Sequence, residues 1–458
     1  MGGFKMIHKF NMDGINIVMD INSGAIHIID NEAYDVLDFY KELDKEQIIN
    51  KLSDKYDEED IKKAYEEIEE LEGEGLLYGD DQYINHEQFK NREQVIKALC
   101  LNVAHDCNLK CSYCFASQGD FGGERKLMDL ETGKRAFDFL IKKSGNRRNL
   151  EVDFFGGEPL MNFEVVKELV KYGREQEKIH NKNFRFTITT NGILLNDEIT
   201  DFINEHMHNI VLSLDGRKDV NDSMRPTMND KGSYDIIVPK YQKLIEKRGD
   251  KEYFVRGTFT RKNLDFSKDV MHFYDLGMTK TSVEPVVDDE SNPFALREED
   301  LPKIFEEYEI LAKEYAKKKI NKEKFTFFHF MIDLNQGPCI IKRITACGAG
   351  TEYISVTPEG DIYPCHQFVG KEDYKLANLY DDEILLKQDL VDGFRNAHVY
   401  AKEDCKNCWA KFYCSGGCHA NALNFNGDVL KPYKLGCEMQ KKRIECAIMV
   451  KAKELLEG

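Results

Sequence analysis

The sequence predicts an α/β protein: a partial (β/α)6 TIM-like barrel flanked by a small winged-helix-like N-terminal domain and a cysteine-rich C-terminal domain. Three observations predict it. Six apolar runs alternate with helical stretches over residues 95–290, a strand hairpin and three helical segments fill residues 1–90, and all but one of the 13 cysteines fall in a triplet near residue 110 or in a field from 339 onward. Alternation of strand and helix is the mark of a parallel sheet covered by helices. The implied divisions are 1–90, a barrel over 95–297, a charged helical bridge over 298–338, and a C-terminal domain over 339–458.

In the first segment, residues 14–20 and 24–30 alternate in polarity and read as a hairpin around Asn22-Ser23-Gly24. Helices follow over 31–43, with Asn31 as N-cap, over 44–55, and over 58–72, where Ile61, Ala64, Ile68 and Leu71 share one face. Residues 76–78 read as a short closing strand. Such a shape commonly binds DNA, but these helices are acidic. In the barrel segment the strands are expected at 98–104, 150–155, 184–190, 209–214, 253–259 and 281–285, with helices such as 130–143, 164–177 and 234–246 between them. Chemistry in such barrels sits at the C-terminal ends of the strands.

Composition narrows the function. Hydrophobic residues make up 41% and charged residues 32%, as in a folded soluble protein. The net charge of −18 argues against a nucleic-acid partner, whose phosphates need clustered Lys and Arg. No apolar run approaches the ~20 residues of a membrane helix. The opening Met1-Gly2-Gly3-Phe4-Lys5-Met6 has neither a signal-peptide core nor, with Met at position 6, a myristoylation pattern. A cytoplasmic location is expected, so the thiols are reduced and available for metal ligation. Cys100, inside an expected strand, reads as a core thiol.

Cys107, Cys111 and Cys114 form C-x3-C-x2-C directly after the first barrel strand. Three thiolates on one short loop can hold three irons of a 4Fe–4S cube and leave the fourth open to a small chelating ligand. A zinc loop is the competing reading, but zinc favours four closed ligands. With Tyr113 just before the third cysteine, the motif resembles that of the radical S-adenosylmethionine (SAM) superfamily. The resemblance covers about 95–290 and implies that the open iron binds SAM, which an electron splits to give a 5′-deoxyadenosyl radical.

Other strand ends agree with it. Phe155-Gly156-Gly157-Glu158-Pro159 resembles the family segment that receives the SAM ammonium, which implicates Gly156, Gly157 and Glu158. Two glycines allow close backbone approach to a ligand. Thr189 and Asn191 resemble ribose contacts, Ser213 and Arg225 the pair that holds the SAM carboxylate, and the backbone near Val286 an adenine contact. Arg suits that role because its planar fork meets a carboxylate with two bonds. Asp215 reads either as a site residue or as an ordinary turn residue.

The C-terminal cysteines Cys347, Cys365, Cys405, Cys408, Cys414, Cys418 and Cys437 resemble the SPASM extension of peptide-modifying radical SAM enzymes. The resemblance implies two interlaced auxiliary clusters, one on Cys405, Cys408, Cys414 and Cys437, the other on Cys347, Cys365 and Cys418. A zinc ribbon is the bland alternative. Seven ligands leave one of eight open: Cys339, Cys446 or a substrate thiolate could fill it, and Cys446 on a helical stretch reads better as a core thiol. His366, next to Cys365, stands where related enzymes carry an acidic base, so it reads as a base or as a hydrogen-bond donor to cluster sulfur.

The N-terminal domain resembles the peptide-recognition element of ribosomal-peptide modifying enzymes, which take up the leader peptide as an extra strand. The edge would lie around 26–30 with the helix 58–72; a mere docking domain is the alternative. The whole chain resembles the thioether-forming maturases of six-cysteine (SCIFF) peptides. That implies three 4Fe–4S clusters, SAM, an external electron donor, and a Cys-rich precursor peptide whose Cys sulfur is joined to an α-carbon, as in sactipeptides. Other readings are formylglycine formation as in anaerobic sulfatase maturases, a different dehydrogenation on the same cluster set, and an iron–sulfur DNA-binding regulator, for which no basic recognition helix is found.

Overall fold

A computed structural model describes residues 6–84, 95–334 and 340–457. The first boundary expected from the sequence, at 90–95, and Cys339 fall outside the described residues, wholly or in part.

The N-terminal domain is a three-stranded antiparallel sheet, β1 (Ile7–Met12), β2 (Ile15–Asp20) and β3 (Ile26–Ile29), in that order. Strand β1 was not expected. Its signal is Asp13-Gly14, a two-residue hairpin turn in which both residues take positive φ (54° and 80°). Three helices follow: α1 (Asn31–Val36), α2 (Lys45–Leu52) and α3 (Glu58–Gly73). Asp30, not Asn31, caps α1, its carboxylate accepting from the Ala33 amide at 2.8 Å. The helix expected over 31–43 stops at Val36, and the chain turns from there to α2. Residues 76–78 form no strand, because the Leu76 and Leu77 amides both donate to Leu71 O and wrap the end of α3. Val18, Val36, Ile48 and Ile61 are fully buried between sheet and helices. The outer strand β3 is exposed at Ile28.

All six expected barrel strands are present: β4 (Ala98–His105), β6 (Asn149–Gly156), β7 (Asn183–Thr190), β8 (Asn209–Ser213), β9 (Phe254–Phe259) and β10 (Lys280–Pro285), with the short β5 (Lys126–Leu127) paired antiparallel to β4. Helices α4 (Leu130–Lys143), α5 (Phe163–His180), α6 (Asp197–His206), α7 (Lys218–Met224), α8 (Tyr234–Arg248) and α9 (Phe266–Asp275) connect them. The six strands pair in parallel in chain order. Strand β7 alternates exposed and buried residues, as one face of a covered sheet requires. Phe154, Phe186, Ile188 and Val255 fill the interior.

The remaining chain is more ordered than its composition predicts. Helix α10 (Leu301–Ile320) leads to β11 (Thr326–Phe327), which extends the sheet beyond β10 in parallel. After α11 (Ile340–Thr345), β12 (Tyr353–Val356) pairs in parallel with β4 at the opposite edge, followed by β13 (Asp361–Tyr363) and β14 (Ala377–Asn378). The cysteine-rich segment therefore continues the barrel sheet. Asn102 fixes the seam, its Nδ2 donating to Ser355 Oγ at 2.7 Å and Val356 O at 3.2 Å. Helices α12 (Gln388–Asn396), α13 (Glu403–Lys406), α14 (Lys411–Cys414), α15 (His419–Asn426) and α16 (Lys434–Glu457) complete the chain, α16 lying along α10. Among the described residues no helix is long and apolar enough to cross a membrane.

The N-terminal domain docks on this C-terminal segment. Asp81 accepts from Tyr400 at 2.7 Å and pairs with Lys411 Nζ at 3.1 Å, both charges almost wholly buried. His8 of β1 stacks on Trp409 at 3.7 Å and bonds Glu445 of α16 at 2.9 Å. Breaking one half of a buried ion pair strands the other charge. Asp81→Ala should therefore cost about 3 kcal/mol and loosen the docked domain, seen as faster proteolytic release of the N-terminal domain with the barrel intact.

Candidate functional site

The C-terminal ends of the barrel strands open into one cavity of about 820 Å³. The cysteine triplet lines it from one side, and Cys347, Cys414, Cys418 and Cys437 line it from the other. Cys365, Cys405 and Cys408 stand behind that wall, the first two buried.

Backbone contacts hold the triplet loop. At the end of β6, Gly157 N donates to Ala104 O at 2.8 Å and Glu158 N to Asp106 O at 2.9 Å. A Cβ on Gly156 would lie 2.2 Å from Ala104 O, and one on Gly157 2.2 Å from Asp106 O. No other residue fits there, and Gly156 also takes φ +132°. On the other flank, Lys110 N and Ser112 N donate to Pro226 O and Met224 O at 3.0 and 2.9 Å. Burial pushes the Cys107 thiol up to about 12 and that of Cys111 to about 11, although Leu109 N donates to the Cys107 sulfur at 3.4 Å. Such thiols stay protonated unless a metal takes the proton's place.

A chain of polar groups crosses the floor. Asp215, fully buried, accepts from the Tyr113 hydroxyl at 2.7 Å, and that hydroxyl accepts from Arg225 Nη1 at 2.8 Å. Thr258 N also donates to Asp215 at 3.1 Å. Burial raises the Asp215 carboxyl, with Arg225 and Tyr113 acting against that. Asp215 is thus the anchor of Tyr113 and through it of Arg225, beyond any turn role. Arg225 is 8% exposed, and its Nε is buried without a partner among the described residues.

Gly156, Gly157, Thr189, Asn191, Ser213 and Val286 line the same cavity. Asn191 Nδ2 donates to Asn108 Oδ1 at 2.8 Å and lies 3.7 Å from the Cys107 sulfur. Glu158 is the exception. Its carboxylate is fully buried away from the cavity and accepts from Leu160 N, Thr190 Oγ1 and Asn191 N at 2.7–3.0 Å. Those bonds engage both oxygens and tie the end of β6 to that of β7. Burial pushes this carboxyl up to about 7, against the three hydrogen bonds.

The remaining thiols have different near neighbours, and Cys100 is also close to Cys365. Cys365 feels the charge of Cys347 and Cys418, while Cys437 feels that of Cys414, Cys405 and Cys408. His366 lines the cavity between the Phe115 and Phe155 rings, with Nδ1 3.2 Å from the Tyr353 hydroxyl. Burial pushes its pKa down to about 4, so the ring is neutral and accepts a proton poorly.

A further wall was not anticipated. His329 Nε2 lies 3.0 Å from Glu284 Oε1, and Arg443 Nη1 3.0 Å from His329 Nδ1. Arginine only donates, so Nδ1 accepts and Nε2 carries the proton. Despite burial, His329, Arg256 and Arg443 hold the Glu284 carboxyl far below its usual range. Glu284 lies within the expected strand 281–285, whereas His329 and Arg443 carry no local signal.

Comparison with known proteins identifies two domains in the chain. The radical SAM superfamily model matches residues 101–270, and the model of the SPASM iron–sulfur cluster-binding domain matches 347–409. The chain carries a radical SAM domain and a SPASM domain. Together these imply 4Fe–4S clusters and SAM. An uncharacterized protein of Methanocaldococcus jannaschii is 32% identical over 179 residues, 39% of this chain and only 58% of that protein. The radical SAM cyclopropyl synthase TigE of Paramaledivibacter caminithermalis is 22% identical over 91% of this chain and 89% of its own. The cysteine-type anaerobic sulfatase-maturating enzyme of Clostridium novyi is 23% identical over 71% of this chain and 88% of its own. Among solved structures, Streptococcus suis SuiB bound to SAM matches 95% of this chain and 100% of its own, with TM-score 0.54 and 17% identity.

Tyr113→Phe removes the hydroxyl that joins Arg225 to Asp215 and leaves both groups one partner short. It should weaken SAM binding by about 1–2 kcal/mol, roughly 5–30-fold in Kd, by equilibrium dialysis against the reconstituted protein, with iron content unchanged.

Proposed function

We propose that this protein is a peptide maturase that joins a Cys sulfur of a ribosomally made, Cys-rich peptide to the α-carbon of another residue. The observation that carries it is the shared cavity. The triplet and the thiols Cys347 and Cys418 line one space, so a substrate between them meets both.

The residues fit the groups this requires. Three thiols on the pinned loop suit a cluster with one open iron. The unpartnered Nε of Arg225 is free for a carboxylate, as SAM carries, and Ser213, Thr189, Asn191 and Val286 line the space beside it. The glycines at 156 and 157 leave room where a side chain would close the approach. When bound, the reduced cluster and SAM supply the 5′-deoxyadenosyl radical that takes hydrogen from carbon. The chain's own part is to hold the carboxylate at Arg225, fix Tyr113 through Asp215, and screen the site from water with Phe115, Phe155 and His366. Cys405, Cys408, Cys414 and Cys437 supply a full set of four for one auxiliary cluster. Cys347, Cys365 and Cys418 supply three for the other, which leaves a place for a substrate thiolate. Cys446 is not available: it is fully buried in α16.

The N-terminal domain supports a peptide substrate with a leader. Strand β3 ends its sheet with an open edge suited to strand addition. SuiB, which matches nearly the whole chain, has also been solved bound to its precursor peptide SuiA. The sulfatase-maturating relative covers 88% of its own length on only 71% of this chain, so its activity leaves part of this protein without a role. We place the enzyme in the cytoplasm with an external electron donor.

Two measurements test this. Anaerobic reconstitution should load about 12 irons per chain, three cubes of four; zinc on the triplet would end the proposal. Incubating reduced enzyme with SAM and precursor peptide should remove two hydrogens per cross-link and protect one thiol from alkylation. SAM cleavage with unchanged peptide mass contradicts thioether formation.

A further inference from the structure

Lys402 has no exposed surface. It precedes α13, and its carbonyl accepts from Cys405 N at 3.0 Å and Lys406 N at 3.2 Å. Its side chain runs inward, and Nζ donates to Gly416 O at 2.6 Å. Gly416 lies in the loop that joins Cys414 of one thiol set to Cys418 of the other. It takes φ +91°, and a Cβ there would already sit 3.4 Å from Nζ. An ammonium has three donors, and this carbonyl takes one.

A buried ammonium normally finds a carboxylate. Among the described residues no Asp or Glu pairs with Lys402. The thiols of Cys405, Cys414, Cys418 and Cys437 lie near enough that their charge, once ionised, would favour the ammonium. Its own charge reaches Cys347 in turn. Its Nζ is held against the loop between Cys414 and Cys418, with one of its donors on Gly416 O and no carboxylate partner among the described residues. Burial opposes its charge, and those thiols oppose that effect.

We propose that the Lys402 ammonium is the shared counter-ion of the two auxiliary cluster sites, neutralising thiolate charge on both and raising both reduction potentials. The inference rests on the reading that these thiols hold clusters, and goes beyond it by assigning the residue that sets their electron affinity. A fixed charge in a water-poor interior acts strongly at short range. Charge and hydrogen bonds to sulfur are among the main levers on such potentials. Lys402 is a tuning residue and touches no substrate.

The test uses the full, reconstituted enzyme in three forms: wild type, Lys402→Gln, which keeps a donor for Gly416 O without charge, and Lys402→Arg, which keeps the charge. Anaerobic redox titration followed by electron paramagnetic resonance reads each cluster. We expect Lys402→Gln to move both auxiliary potentials to more negative values and leave the triplet cluster where it was. Lys402→Arg should stay near wild type. Auxiliary potentials in Lys402→Gln equal to those of wild type, or an equal shift in both variants, would overturn the proposal. Loss of auxiliary iron in Lys402→Gln alone supports the charge role; the same loss in both variants overturns it. Wild-type enzyme without auxiliary iron would instead sink the cluster assignment itself, which the wild-type iron count shows separately.

Discussion

The site depends on backbone pressed against backbone at the ends of β4 and β6. Gly156 and Gly157 let the β6 end bond to Ala104 and Asp106 with no side chain between. Gly119 does the same from the far side, where a Cβ would meet the Cys107 Cβ at 2.9 Å. The loop is thus gripped on two flanks by contacts that only glycine permits. Its cysteines are placed by main-chain hydrogen bonds rather than by packing of their own small side chains. Glu158 adds the next tie, spending its buried carboxylate on the end of β7. Three strand ends are locked in sequence, and the cavity follows from their arrangement.

The second constraint is the seam between β4 and β12. A cysteine-rich segment attached by a loop could lie anywhere; one that supplies a strand to the barrel sheet has its position fixed by register. That pairing fixes how the segment from Cys347, before β12, to Cys365, after β13, lies against the barrel sheet. The helices that carry the remaining thiols then bear on the N-terminal domain. Trp409, next to Cys408, stacks on His8 of β1, and Lys411 holds Asp81. Among the described residues no strand pairs with the outer edge of β3, so that edge and the cysteine-bearing wall belong to one packed body.

The six barrel strands were legible because each is an apolar run of the right length between helical stretches, and the triplet because its spacing is compact. The role of Asp215 was not: a buried anchor and a turn residue look alike in a sequence, and only its distance to Tyr113 separates them. Glu158 has a second role that its motif does not announce, since its buried carboxylate also ties the end of β6 to that of β7. Strand β12 was missed because Tyr353–Val356 is four residues long and its partner lies some 250 positions earlier. His329, Arg443 and Lys402 lie far from the motifs or carry no pattern, and their meaning comes from what the tertiary fold places beside them.

Net charge is the clearest case of a property that misleads when averaged. The protein carries −18 overall, yet the charged groups that reach its thiols include Arg225 at Cys111, Arg443 at Cys414 and Lys402 between the auxiliary sets. Thiolates gathered in a buried wall repel one another and lose hydration. Cations drawn from a minority of basic residues offset both costs, and Arg225 and Lys402 are themselves buried. The acidic balance of the whole chain thus hides a cavity lining that carries Arg225, Arg256 and Arg443.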